Sequence, residues 1–270
     1  MRGGPSTGIP TKSEQADLNI ALHGLHGDAP HLVLAALDVR DCVFTCQWAT
    51  RLAEHLQTAA VVLTDQLLGQ SRAIVDPPER FRARLPRRTA EPGAGHYARY
   101  APTAAGVSPM AIPGQPGCMY TADGLEHGRD GTPSSMAADH LAQLDKRRRK
   151  LSGFDFGAHW AEVYGEGPTC LLTWGSSAGA VREAAQRLAA AGRPVRVVAL
   201  RLLAPLQRNA LVAVLEGASR ILVIEQNQGA QLFHYLLGEQ ALPPHARPLA
   251  RPGPLPLRPG AIVDAALAED

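Results

Sequence analysis

The 270-residue sequence predicts an α/β protein built on two parallel sheets. Three observations carry that expectation. Short apolar runs recur that are too brief for buried helices, and most are followed by a stretch with helical periodicity. A long Pro/Gly-rich and Arg-rich segment separates the first such units from the rest. Four glycines, Gly153, Gly157, Gly165 and Gly167, then punctuate the chain where regular alternation resumes. The expected boundary therefore divides residues 1–152 from residues 153–270.

Residues 1–15, MRGGPSTGIPTKSEQ, hold almost no apolar side chains. Their glycines and prolines favour tight turning and close approach of a ligand to the backbone. Arg2 offers a planar fork for a carboxylate or phosphate, and Ser6, Thr7 and Thr11 add neutral donors. On composition alone the stretch reads first as a polar, disordered N-terminal tail. Next, HLVLAALD (31–38) reads as a buried strand. Asp41 is expected to cap a helix from Cys42 to Leu56, with Val43, Cys46, Trp48, Leu52 and Leu56 facing the core. AAVVLTD, ending at Asp65, is a second buried strand, so the pair should be parallel with a crossover helix.

Residues 70–135 show no regular pattern. A helix fits Ser135–Leu151 and ends in the run Lys146–Lys150, KRRRK, which reads as a solvated helix end favoured by the macrodipole. Beyond the glycines, TCLLTWG is a strand, GSSAGAVREAAQRLAAAG a turn and helix, and PVRVVAL a strand. Gln207–Glu216 is a helix, RILVIEQN a strand and GAQLFHYLLGEQ a helix. A short strand near His245–Leu249 and a helix from Pro259 complete a second parallel unit.

Composition excludes several classes. Hydrophobic residues are 45% and charged residues 19%, a globular balance. The net charge of +2 gives no global field for nucleic acid or membrane. No apolar run reaches transmembrane length and no leader pattern opens the chain, so a cytoplasmic protein is expected. Cys42, Cys46, Cys118 and Cys170 form no CxxC pair and match neither zinc nor iron–sulfur spacing, so reduced thiols and no cluster in this chain are expected.

Gly175-Ser176-Ser177-Ala178-Gly179 matches the G-x-S-x-G nucleophile elbow between a strand and a helix, and Glu225 and His245 follow in hydrolase order. A serine hydrolase at Ser177 is one reading; a close-packing glycine turn is the other. A non-catalytic α/β interaction module is a third possibility.

The combination RGGPSTGIPTKSEQADL, LHGLHGDAPHLVLAALDVRDC, LAEHLQTAAVVLTDQLLG, YARYAPTAAGVSPMAIPG, EHGRDGTPS, DKRRRKL, TWGSSAGAVREA and VIEQNQGAQL resembles the alpha subunits of 2-oxoacid:ferredoxin oxidoreductases of the 2-oxoglutarate type. The likeness runs over essentially the whole chain. It implies part of a thiamine-pyrimidine-type doubly wound domain, followed by a domain like the C-terminal domain of transketolases. It implies that Arg2 pairs with the carboxylate of a 2-oxoacid and that Thr11 lies near the far end of the substrate. Ser6, Thr7 and Lys12 are their neighbours. No residue of this chain is assigned as catalytic, and Glu225, Asn227 and Gln231 would shape a turn or subunit contact, with Ser177 structural. The resemblance further implies a beta subunit that holds thiamine diphosphate, magnesium and a 4Fe-4S cluster, with coenzyme A and ferredoxin as co-reactants. Full alpha subunits carry a long region ahead of RGGPSTG, so the chain is expected to be a C-terminal portion, inactive in isolation.

Overall fold

The computed structural model describes residues 1–6, 8–10, 12–77, 81, 84–93 and 96–268. Two sheets organise them. Helix α1 (Leu18–His23) leads into strand β1 (Leu32–Ala35), helix α2 (Val39–Leu56), strand β2 (Ala60–Leu63) and the short helix α3 (Gln66–Gln70). β1 and β2 pair in parallel, with Leu32 opposite Ala60 and Ala35 opposite Leu63. Every residue of β1 is buried, because helices and the second unit cover both its faces.

α2 begins three residues earlier than expected. Asp38, in extended conformation, is the cap and accepts from the Asp41 amide at 2.8 Å. Asp41 therefore sits inside the first turn and faces inward. The buried face is Asp41, Thr45, Trp48, Ala49, Leu52 and Leu56, while Val43 is 40% exposed and Cys46 is exposed. The helix is rotated from the expected face because Asp41 has a buried partner, Arg201. That guanidinium donates from Nε to Oδ1 at 2.9 Å and lies 2.8 Å away through NH2.

Among the described residues of 71–136 the strand pairings are isolated bridges, Thr89 with Met110 and His127 with Pro133. Tyr100 stacks on His127 with ring centroids 4.2 Å apart. Helix α4 (Ala137–Ser152) fastens this segment with the basic run predicted to be solvated. Lys146 is buried and donates to the Tyr100 carbonyl at 3.1 Å. Arg147 makes a two-armed bond to Glu126, at 2.7 and 3.0 Å, and Lys150 donates to the Gln57 carbonyl at the end of α2. Only Arg148, paired with Asp145 at the surface, behaves as the sequence suggests. Long cationic side chains here tie an irregular segment to regular structure.

A 3-10 turn (Gly157–Trp160) leads into the second sheet: β3 (Ala161–Tyr164), β4 (Thr169–Trp174), β5 (Val195–Leu200), β7 (Arg220–Glu225) and β8 (Ala246–Ala250), ordered β3-β5-β4-β7-β8. Helices α5 (Ser177–Ala190), α6 (Arg208–Leu215), α7 (Gln231–Gly238) and α8 (Pro259–Leu267) connect or flank the strands. β4, β5, β7 and β8 are parallel as expected, while β3 adds an antiparallel edge. β6 (Leu202–Ala204) is the larger departure, since the sequence predicts no strand at RLLA. After Arg201 the chain leaves the second sheet and pairs antiparallel with β1, giving a three-stranded sheet β2-β1-β6. Val33, Trp48, Leu172, Trp174, Val198 and Leu202 thus belong to one continuous apolar core. A second core packs the other face of the five-stranded sheet against α5 and α8.

Candidate functional site

In open parallel sheets the strand-to-helix turns at the carboxyl ends gather loops and helix starts, and ligands collect there. The described residues of 1–15 occupy that place for both sheets. At one end, the Met1 ammonium donates to the Thr64 carbonyl and the Gln66 amide donates to the Met1 carbonyl, just beyond β2. At the other end, residues 13–16 form a stem against the turns after β4 and β7. Ser13, Glu14 and Gln15 are all buried.

The stem is held by side-chain amides. Gln226 donates to the Ser13 carbonyl at 3.0 Å, Asn227 to the Gln15 carbonyl at 3.1 Å, and Gln231 to the Ala16 carbonyl at 2.7 Å. Glu225, wholly buried, accepts from the Leu232 and Phe233 amides and from Asn227 at 2.6 Å. Burial pushes its carboxyl up, and those three donors only partly offset that. Between the anchors the loop closes on itself, with the Gly3 amide donating to the Lys12 carbonyl at 3.0 Å. Gly8 makes the closure possible. Its φ is +54°, and a Cβ there would stand 1.9 Å from the Gly3 carbonyl oxygen.

The tip is exposed where the stem is buried. Arg2, Ser6 and Lys12 are all exposed, and the Gly3–Lys12 bond brings the Arg2 and Lys12 stretches of backbone side by side. Ser6 adopts a left-handed φ of +52° in the turn. Thr7 and Thr11 lie outside the described residues. The arrangement suits an anionic ligand: two cations and a hydroxyl at the surface of a loop whose base is fixed.

The hydrolase reading fails on geometry. Ser177 is buried, and its hydroxyl donates to Gln15 Oε1 at 2.8 Å. His245 precedes β8, which starts opposite Ile221, and its Nε2 meets the Ala218 carbonyl. Ser177 follows the carboxyl end of β4, whereas His245 lies at the amino end of the same sheet. A six-residue parallel strand separates those ends by roughly 15–20 Å, too far for proton transfer. Glu225 is at the carboxyl end too, engaged with α7.

Reasoning from sequence missed Gln15, Ser13, Asp65 and Gln226. Asp65 is buried, caps α3 by accepting from Leu68 at 3.0 Å, and receives the Ser176 hydroxyl. The one available signal was polar residues directly after apolar strands, at 64–66 and 225–227. Among the described residues no group of three or more His, Cys, Asp or Glu could hold a metal, and no helix is long and apolar enough to cross a membrane.

The two α/β units thus share one polar loop at the carboxyl ends of their strands. Residues 1–146 match the family model described as pyruvate flavodoxin/ferredoxin oxidoreductase, thiamine diP-bdg. Residues 160–230 match the transketolase C-terminal domain. The chain belongs to the pyruvate flavodoxin/ferredoxin oxidoreductase family. It is 30% identical over 239 residues to the alpha subunit of 2-oxoacid:ferredoxin oxidoreductase 1 of Sulfurisphaera tokodaii, covering 86% of this chain and 37% of that protein. It is 35% identical over 252 residues to the 2-oxoglutarate oxidoreductase subunit KorA of Mycobacterium tuberculosis, covering 88% and 37% respectively. The chain thus spans little more than a third of the length of these relatives. A structure of 2-oxoglutarate:ferredoxin oxidoreductase from Magnetococcus marinus, with 2-oxoglutarate, coenzyme A and succinyl-CoA bound, superposes with a TM-score of 0.88 at 39% identity. It matches over 98% of this chain and 46% of that one.

Proposed function

We propose that this chain forms the substrate-loop portion of the alpha subunit of a thiamine diphosphate-dependent 2-oxoacid:ferredoxin oxidoreductase, with 2-oxoglutarate as the substrate. The observation that carries the reading is the exposed cationic tip on a buried stem, in a chain 39% identical to a protein holding 2-oxoglutarate and succinyl-CoA. The balanced reaction takes 2-oxoglutarate and coenzyme A to succinyl-CoA, CO2, two electrons and a proton, the electrons passing to ferredoxin.

Arg2 would bind the carboxylate next to the keto group through its planar fork. Thr11 would donate to the distal carboxylate, with Ser6, Thr7 and Lys12 completing the anionic subsite. These residues bind and orient rather than transfer protons, so their contribution is positional. Thiamine diphosphate, when bound, supplies the nucleophilic carbon and the electron sink. The donor set fits one part of that cofactor's surroundings only. The loop's backbone and hydroxyls suit a substrate beside a ring. We assign the diphosphate, its magnesium and a 4Fe-4S cluster to a beta subunit, as the resemblance to these alpha subunits implies.

The test is 2-oxoacid-dependent dye reduction by the complete native assembly containing this chain, with coenzyme A present and a panel of 2-oxoacids. Turnover fastest with 2-oxoglutarate and formation of succinyl-CoA support the reading. Preference for pyruvate would reassign the substrate, and no turnover with any 2-oxoacid would remove the activity.

A further inference from the structure

We propose that Gln15 is a positioning residue for the substrate loop, with the Gly175-Ser176-Ser177 turn as its receptor. The inference rests on the substrate role proposed above and adds the device by which the second α/β unit holds that loop. It also gives the G-x-S-x-G motif a purpose other than nucleophilic chemistry.

Gln15 is wholly buried, and each of its polar groups ends on the second unit. Its Oε1 accepts from the Ser177 hydroxyl at 2.8 Å and from the Gln226 amide at 2.7 Å. Its Nε2 donates to the Trp174 carbonyl at 2.8 Å. Its backbone amide donates to the Gln226 carbonyl at 2.7 Å. A buried side-chain amide with these partners has one orientation, because turning it over would set the amide nitrogen against donors.

The receptor is shaped for it. Gly175 has φ +58°, and a Cβ there would meet Gln15 Nε2 at 2.7 Å, so glycine both makes the turn and admits the amide. The intervening residue, Ser176, bonds in the other direction, to Asp65 beyond β2. Three consecutive residues of one turn therefore contact the loop stem and the first unit. With Met1 fixed at residues 64–66 and Gln15 fixed at residues 174–177, the loop is held at two points on two different units. The Gly3–Lys12 closure then passes that placement to Arg2 and Lys12.

The experiment uses the native assembly carrying Gln15→Met, Gly175→Ala, Ser177→Ala or the double variant Gln15→Met/Gly175→Ala. None alters the substrate-binding side chains. Loss of these bonds should raise the KM for the 2-oxoacid by about tenfold or more while kcat changes by less than about threefold, the pattern of lost binding alignment. Ser177→Ala, which removes one bond, should shift KM in the same direction by less. The double variant should be no worse than Gly175→Ala alone, because both changes act on the same contact. A merely structural role would lower thermal stability additively and leave KM unmoved, and that result overturns the proposal. Amide hydrogen exchange in residues 2–12 supplies a readout independent of turnover. It should rise in Gln15→Met while β4 and β7 stay protected. If wild type turns over no 2-oxoacid yet exchange rises in this way, the latch stands and the substrate role falls. If wild type turns over 2-oxoacid and neither KM nor exchange moves, the substrate role stands and the latch falls.

Discussion

Replacing Arg201 by Met tests how the two units are joined. Arg201 is the residue between β5 and β6, where the chain passes from one sheet to the other, and it is 5% exposed. Its guanidinium meets Asp41 at 2.8 and 2.9 Å, Glu162 at 3.1 Å and the His159 carbonyl at 2.8 Å. Phe44 lies under the same group at 5.0 Å. With Met in place, Asp41 keeps only the Leu37 amide and the Thr45 hydroxyl, both on Oδ2. Its other oxygen would be stranded at 7% residue exposure. Leaving a buried charge unpaired costs about 3–5 kcal/mol. At roughly 2–4 °C per kcal/mol for a chain of this size, Tm should fall by about 10 °C. Thermal unfolding followed by circular dichroism reads this directly. Arg201→Met/Asp41→Asn should recover part of the loss, because the stranded charge is gone. A drop of less than about 1 kcal/mol in the single variant, or a double variant worse than the sum, would refute the reasoning.

Other outcomes follow from titration and exposure. Burial raises the Glu126 carboxyl, but hydrogen bonds from Arg147 and His140 outweigh it and hold its pKa at about 2. The stabilisation is present above the ordinary carboxylate range and is lost as pH falls from about 4.5 toward 2. Acid unfolding of the 96–150 segment should therefore move to higher pH in Arg147→Met, read by hydrogen exchange. Lys146 behaves oppositely: burial, then Lys150, Arg99 and Arg147, lower its pKa to about 7. Its folded state binds fewer protons, so stability should rise as pH climbs from about 7 toward 10.5, and Lys146→Met should flatten that rise. Iodoacetamide should label the exposed Cys46 of the native protein first. Cys170, whose thiol burial pushes up to about 12, should react only after unfolding.

The strands and helices were legible where one apolar period dominates, as in LVLA, TCLLTW and RILVIE. What escaped depends on partners distant in sequence. Asp41 reads locally as a cap, yet Arg201, far along the chain, turns it inward and rotates α2 with it. RLLA has the composition of a strand end, and only the vacant side of β1 makes it a new strand in another sheet. The KRRRK run reads as solvated because sequence shows its charge and not the carbonyls of Tyr100 and Gln57 that receive it. At the site, the glycines and Arg2 pointed to a ligand loop only alongside the family resemblance, since by composition alone they read as a tail. Gln15, an ordinary polar residue in sequence, is distinguished only by the turn it enters.

In the proposed reading, Arg2 presents a carboxylate-binding fork at the head of this loop. The direct measurement is kcat/KM for 2-oxoglutarate of the native assembly with Arg2→Lys and Arg2→Ala. Loss of a charge-assisted bidentate contact should cost about 1.5–3 kcal/mol, roughly 10–150-fold in kcat/KM, with Lys recovering only part because it lacks the fork. Wild-type kcat/KM in Arg2→Ala would show that Arg2 does not bind the substrate carboxylate.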